Sequence, residues 1–101
     1  MEKSKPHFAL ANIKSQFADP ARLNRTFLSR QSADDLGLDD DGVVAIIQAL
    51  QPRDFDKSMT SHADHRIWQD VYKPSACNRT LYLKFTLDAR RSLLLISFKE
   101  A

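Results

Sequence analysis

Between Phe55 and Pro74 the sequence FDKSMTSHADHRIWQDVYKP sets two histidines, two lysines, a tryptophan and a tyrosine within twenty positions. A metal site is the first chemistry to weigh. His62 and His65 are three apart, which brings two imidazoles together only on a helix, and the sole candidates for a third ligand are Asp64 and the distant His7. Histidine-based RNA cleavage would need two such groups on either side of a scissile phosphate, and the spacing alone does not put them there. The plainer reading of both is as loop histidines. Gly37 and Gly42, the two glycines of the chain, lie in no phosphate-binding loop, and no serine-hydrolase elbow occurs. Asp34, Asp35, Asp39, Asp40 and Asp41 crowd around expected helix N-termini, where capping and the helix dipole account for them.

What remains is a set of cations interleaved with rings: Lys57, Arg66, Lys73, Lys84 and Lys99 with Trp68, Tyr72 and Tyr82. Ammonium and guanidinium groups neutralise phosphates while exposed rings stack on bases, a combination suited to single-stranded RNA. Many α+β domains also expose lysines on a sheet, so the pattern alone is weak.

The elements that must position these groups follow from periodicity. Leu10, Ile13 and Phe17 predict an amphipathic helix between Pro6, as a first-turn proline, and Asp19, stopped by Pro20. Residues 20 to 31 have no clean period; Ser32 and Asp35 resemble a capping box leading into a turn closed at Gly37. Asp39 should cap a helix with Val43, Ile46, Ile47 and Leu50 on one stripe, ended near Gln51 by Pro52.

Beyond Pro52 the period falls to two. Ile67, Gln69 and Val71 alternate with Trp68, Asp70 and Tyr72; Leu81, Leu83, Phe85 and Leu87 alternate with Tyr82, Lys84 and Thr86; LLLISF forms the last strand. Helices first and strands afterwards predict an α+β class, with N-terminal helices packed on a mainly antiparallel sheet. Placing Leu81, Leu83 and Phe85 on one buried face with Leu94, Ile96 and Phe98 requires paired numbers with an odd sum, hence a loop of two or four residues within Asp88–Arg91. Tyr82, Lys84, Ser97 and Lys99 then share the other face, together with Leu93 and Leu95.

At 101 residues, 43% hydrophobic and 28% charged, the chain predicts one domain spanning residues 1–101 that buries roughly two-thirds of its unfolded surface. No run is apolar enough for a bilayer, the N-terminus lacks a signal-peptide core, and the lone Cys77 can form neither an internal disulfide nor a four-sulfur zinc site, so a cytoplasmic chain without membrane contact is expected. The sequons at Asn24 and Asn78 are then chance matches. A net charge of +2 diagnoses nothing, but Lys57, Arg66, Lys73, Arg79, Lys84, Arg90, Arg91 and Lys99 weight the C-terminal half positive.

DLGLDDDGVVAIIQAL, DFDKSMTSHADHRIWQDVYKP, LYLKFTL and the terminal SFKE together resemble the MqsR family, the motility quorum-sensing regulator toxins of type II toxin–antitoxin systems. The likeness is strongest in KSMT, DH, IWQDVY and SFKE. It implies a RelE-like fold and an mRNA endonuclease that cuts single-stranded RNA at GC-containing triplets, chiefly GCU, without the ribosome and without a metal or cofactor. It implies a cognate antitoxin, MqsA-like, with a zinc-bound N-terminal domain that holds the toxin and a helix-turn-helix domain that holds operator DNA. Carried over position by position, Lys57, Gln69, Tyr82 and Lys99 become the expected catalytic residues, and the pattern of cations and rings adds Arg66, Trp68, Lys73 and Lys84 as expected RNA contacts. Two rival readings stand beside it: a non-catalytic RNA-binding or antitoxin-bound co-regulator, and a structural subunit with no chemistry.

Overall fold

The computed structural model describes residues 1–101, and it is an α+β arrangement of three short helices on one face of a six-stranded antiparallel sheet. The strands are β1 (Glu2–Lys3), β2 (Phe55–Thr60), β3 (Trp68–Tyr72), β4 (Ser75–Ala76), β5 (Arg79–Leu87) and β6 (Leu93–Glu100). The order β1-β2-β3-β5 continues to β6, and β4 extends the β3 side of β5. This architecture is the expected class and is compatible with a RelE-like fold.

Helix α1 (Leu10–Gln16) is shorter than its periodicity implied. Its start is displaced because Asp70 captures the backbone N–H groups of His7 and Phe8 at 2.9 Å each, holding the chain after Pro6 outside the helix. Helix α2 (Phe27–Asp35) replaces the expected capping box: Thr26 caps it by accepting from the Ser29 N–H, so Ser32 lies mid-helix. Gly37 does close the segment, with φ of +79°. Leu38 donates to the Ala33 carbonyl and Gly37 to that of Asp34, the paired bonds of a Schellman ending. Helix α3 (Asp40–Gln48) begins as expected, with Asp39 accepting from the Gly42 N–H.

Ile13, Phe17, Val43, Ile47 and Leu50 meet Tyr72, Leu81, Leu83, Phe85, Leu93, Leu95 and Phe98 of the sheet in one apolar cluster. Phe85 lies edge-on to Phe17 and Tyr72, with ring centroids 5.5 and 6.1 Å apart. Tyr72 is 1% exposed, so it belongs to this core and not to the cationic face expected for it. Burial, then the Asp70 carboxylate, pushes its phenol up to about 12. The unfolded chain therefore gives up this proton near pH 10 while the folded chain keeps it, and stability falls as pH rises from about 10 to 12. Across that window the wild-type chain should lose about 2 kcal/mol more in urea unfolding than Tyr72→Phe.

The β5–β6 hairpin corrects the expected register. Leu87 pairs with Leu93 and Asp88 donates to the Ser92 carbonyl, leaving a loop of three residues, Ala89 to Arg91, with Arg91 at a φ of +63°. An odd loop forces even-sum pairing, and a bulge at Ile96 then restores the odd sum: Phe85 faces Leu95, whereas Lys84 faces Ser97. Leu93 and Leu95 thus turn into the core in place of Leu94 and Ile96, while Phe98 stays inside.

Cys77 and Asn78 form the two-residue turn from β4 to β5, both at positive φ, 55° and 62°. A type I′ turn of this kind prefers Asn-Gly. Cys77→Asn combined with Asn78→Gly should raise stability by about 1 kcal/mol, seen as a higher urea midpoint at unchanged slope.

Candidate nucleic-acid interface

Cross-strand partners share a face, so the register alone assembles the outer surface of the sheet. One row runs Lys57, Val71, Lys84, Ser97 across β2, β3, β5 and β6; a second pairs Tyr82 with Lys99; a third pairs Met59 with Gln69. The helices cover the opposite face, so the surface carrying Lys57, Gln69, Tyr82 and Lys84 is open, and α2 reaches it only at the β6 edge beside Lys99.

Tyr82 and its two cations form the densest part. The Lys99 ammonium lies 5.3 Å and the Lys84 ammonium 5.6 Å from the centre of the Tyr82 ring. Both distances are within cation–π range, which orders two flexible side chains about one phenol. Lys84 is the central cation of the surface: Val71 separates it from Lys57, and Tyr82 is two residues along its own strand. The methylene stems of Lys57 and Lys84 flank Val71, which is fully buried although it is on the outer face.

Lys57 and Gln69 stand farther off. Lys57 is two strands and two residues from Tyr82, roughly 12 Å between Cα positions, and Gln69 one strand and four residues, roughly 14 Å. Lys57 pairs with Glu2 across the β1–β2 edge at 3.3 Å. Glu2 was not legible as a site neighbour, because a two-residue strand has no periodicity to read. Lys73 follows β3 and makes a 3.5 Å ion pair with Asp56, the bulged residue of β2.

Two expected RNA contacts lie elsewhere. Trp68 turns to the helix side, stacked with His7 at 5.4 Å and with the Lys3 ammonium 4.1 Å from its ring centre. It also walls a cavity of about 450 Å³ with Phe8, Ile67 and Leu87. Burial and the adjacent Lys3 ammonium lower the His7 pKa, against the pull of Asp70. Arg66, which touches the same cavity, makes a two-point ion pair with Asp64 at 3.0 Å and holds that carboxyl down at about 2. His62 and His65 are exposed in the β2–β3 loop, and no cluster of three or more His, Cys, Asp or Glu side chains is placed to hold a metal ion. Cys77 is exposed and unpaired. No helix is long and apolar enough to cross a membrane.

A small α+β domain that presents lysines around a phenol on an open antiparallel sheet has the form of a protein that handles a nucleic-acid backbone. The family model described as "Motility quorum-sensing regulator, toxin of MqsA" matches residues 5–100, and the chain belongs to that family. The mRNA interferase toxin MqsR of Escherichia coli (strain K12) is 42% identical over 100 residues, covering 99% of each chain. Membership makes this protein a toxin of a toxin–antitoxin pair, and an antitoxin is its partner.

Proposed function

We propose that this toxin is an mRNA interferase, a cytoplasmic endoribonuclease that cuts single-stranded RNA at GC-containing triplets such as GCU. The observation that carries the reading is the Tyr82–Lys99 cross-strand pair with Lys84 beside it, two ammonium groups about one phenol on an open face. A phosphodiester lying beside that phenol would have its charge compensated by two ammonium groups, and the chemistry most in keeping with such a site is attack by the ribose 2′-oxygen on the adjacent phosphorus. The 2′ O–H bond and the P–O5′ bond break, a P–O2′ bond forms, and the products are a 2′,3′-cyclic phosphate and a 5′-hydroxyl.

Tyr82 acts as proton donor to the leaving 5′-oxygen or orients the 2′-hydroxyl, and Lys99 and Lys84 stabilise the charge that builds on the phosphorane. Lys57, paired with Glu2, serves as base or as a phosphate clamp one nucleotide away. Its distance from Tyr82 favours the clamp; the 2′-proton then passes to solvent water, the Tyr82 phenol gives its proton to the leaving 5′-oxygen, and the phenolate regains one from solvent. Gln69, farther still, suits contact with a neighbouring base. Lys73 extends the cationic track, and Arg66 and Trp68 meet RNA only where it passes around the sheet edge. No step calls for a metal or cofactor. The antitoxin is MqsA-like, with a zinc-bound domain that holds the toxin and a helix-turn-helix domain through which operator DNA is reached indirectly.

Expression of the chain alone should arrest its host, and co-expression of the antitoxin should restore growth. Purified protein in EDTA should cut a GCU-containing oligonucleotide. Binding without cutting would select the co-regulator reading, and abolition by EDTA would reopen a metal route through His62 and His65.

A further inference from the structure

Where α2 meets β6, a groove of about 260 Å³ runs beside the cationic face. Leu28 and Ser32 form one wall and Ile96, Ser97 and Lys99 the other, over buried Phe98. Leu28 is 75% exposed and the adjacent Phe27 74%, apolar side chains left outside on a helix that buries only Ser29 and Ala33, and of the two Leu28 lines the groove. The volume is below the roughly 300–1,000 Å³ of sites that enclose drug-sized ligands. Of the groove's three serines, Ser29 donates its hydroxyl to the Thr26 and Leu95 carbonyls; the apolar surface of Leu28, Ile96 and Phe98 with the Ser32 and Ser97 hydroxyls and the Lys99 ammonium suits a flat ring with polar edges that hangs from an anion.

The groove is continuous with the proposed catalytic surface through two residues. Lys99 is the cross-strand partner of Tyr82, and Ser97 that of Lys84. A chain whose phosphate rests between those lysines therefore has an adjoining nucleoside within reach of the groove. We infer that this groove takes the base next to the scissile phosphate and sets which triplet is cut, with Leu28 packed on the face of the base and the Ser32 and Ser97 hydroxyls bonding its edge. The inference rests on the endoribonuclease reading and adds to it a base-reading subsite on α2, outside the sheet.

The test is to cut a randomised single-stranded RNA pool with wild-type protein, Leu28→Ala, Leu28→Trp and Ser32→Ala, and to sequence the ends. Circular dichroism should match for all four, because Leu28 and Ser32 lie outside the apolar core. Leu28→Ala and Ser32→Ala should flatten the preference at one position beside the cut by about tenfold, a loss typical of one packing or hydrogen-bonding group. Leu28→Trp should fill the groove and shift the preference towards smaller bases. Unaltered base preference in all three variants overturns the inference and leaves the nuclease reading intact. Weakened antitoxin binding with an unaltered cut profile also overturns it, by making the groove a protein-docking surface. No cutting by the wild-type protein overturns both.

Discussion

Tyr82→Phe should slow single-turnover cutting of a GCU-containing RNA by about 10²–10³-fold, the range expected when one positioned acid or base is removed. The substitution deletes one oxygen and keeps the ring, so the stacking of Lys84 and Lys99 on it persists. Stability should stay within about 0.5 kcal/mol of wild type, because Tyr82 is only half-buried and outside the core. Rate loss without unfolding would assign the phenol to proton transfer or to alignment of the 2′-hydroxyl. A loss smaller than about threefold would reduce Tyr82 to a platform for the two lysines, and their charge would then carry the catalysis.

Asp70→Ala should cost about 3 kcal/mol in urea or thermal unfolding, a large share of the roughly 5–15 kcal/mol that a domain of this size possesses. Asp70 is 0% exposed and accepts from the His7 and Phe8 N–H groups and from the Ser58 hydroxyl, the last at 2.6 Å. Alanine would leave these donors without a partner, and hydrogen bonds to a charged acceptor are among the more costly to lose. Asp70→Asn keeps an acceptor of the same shape and should cost about half as much. The consequence reaches the site. Asp70 moors the segment that follows β1, and β1 supplies the Glu2 carboxylate to Lys57. Loss of less than about 1 kcal/mol in Asp70→Ala would mean that water replaces the carboxylate, and that β1 stands without this anchor.

Period-two alternation was enough to read Tyr82, Lys84 and Lys99 as neighbours on one face, because the β5–β6 pairing near the chain end keeps its odd sum. It misplaced Leu93 to Ile96, since the bulge at Ile96 follows from a three-residue loop that no alternation pattern encodes. The same alternation already separated Trp68 and Tyr72 from Gln69; grouping all the rings on one cationic face ignored that parity. Lys84 was legible as a cation on the same face as Tyr82, but its central place emerges only from the β3–β5 register, a long-range pairing that local pattern does not specify. Asp39 as a helix cap and the stripe of Val43 and Ile47 were legible because capping and amphipathicity are local. The grip of Asp70 on His7 and Phe8 spans more than sixty residues and left no local trace.

His62 and His65 belong to a loop distant in register from Tyr82, on the far side of β3 from the Lys84–Tyr82–Lys99 cluster.

The decisive measurement compares two oligonucleotides carrying one GCU triplet, one all-ribose and one with a single 2′-deoxy nucleotide on the 5′ side of the cut, incubated with the toxin in EDTA. The all-ribose strand should yield a 2′,3′-cyclic phosphate and a 5′-hydroxyl, and the 2′-deoxy strand should stay whole. Equal cutting of both strands, or 5′-phosphate ends, would mean that a sheet surface of amines and a phenol is not what breaks the bond.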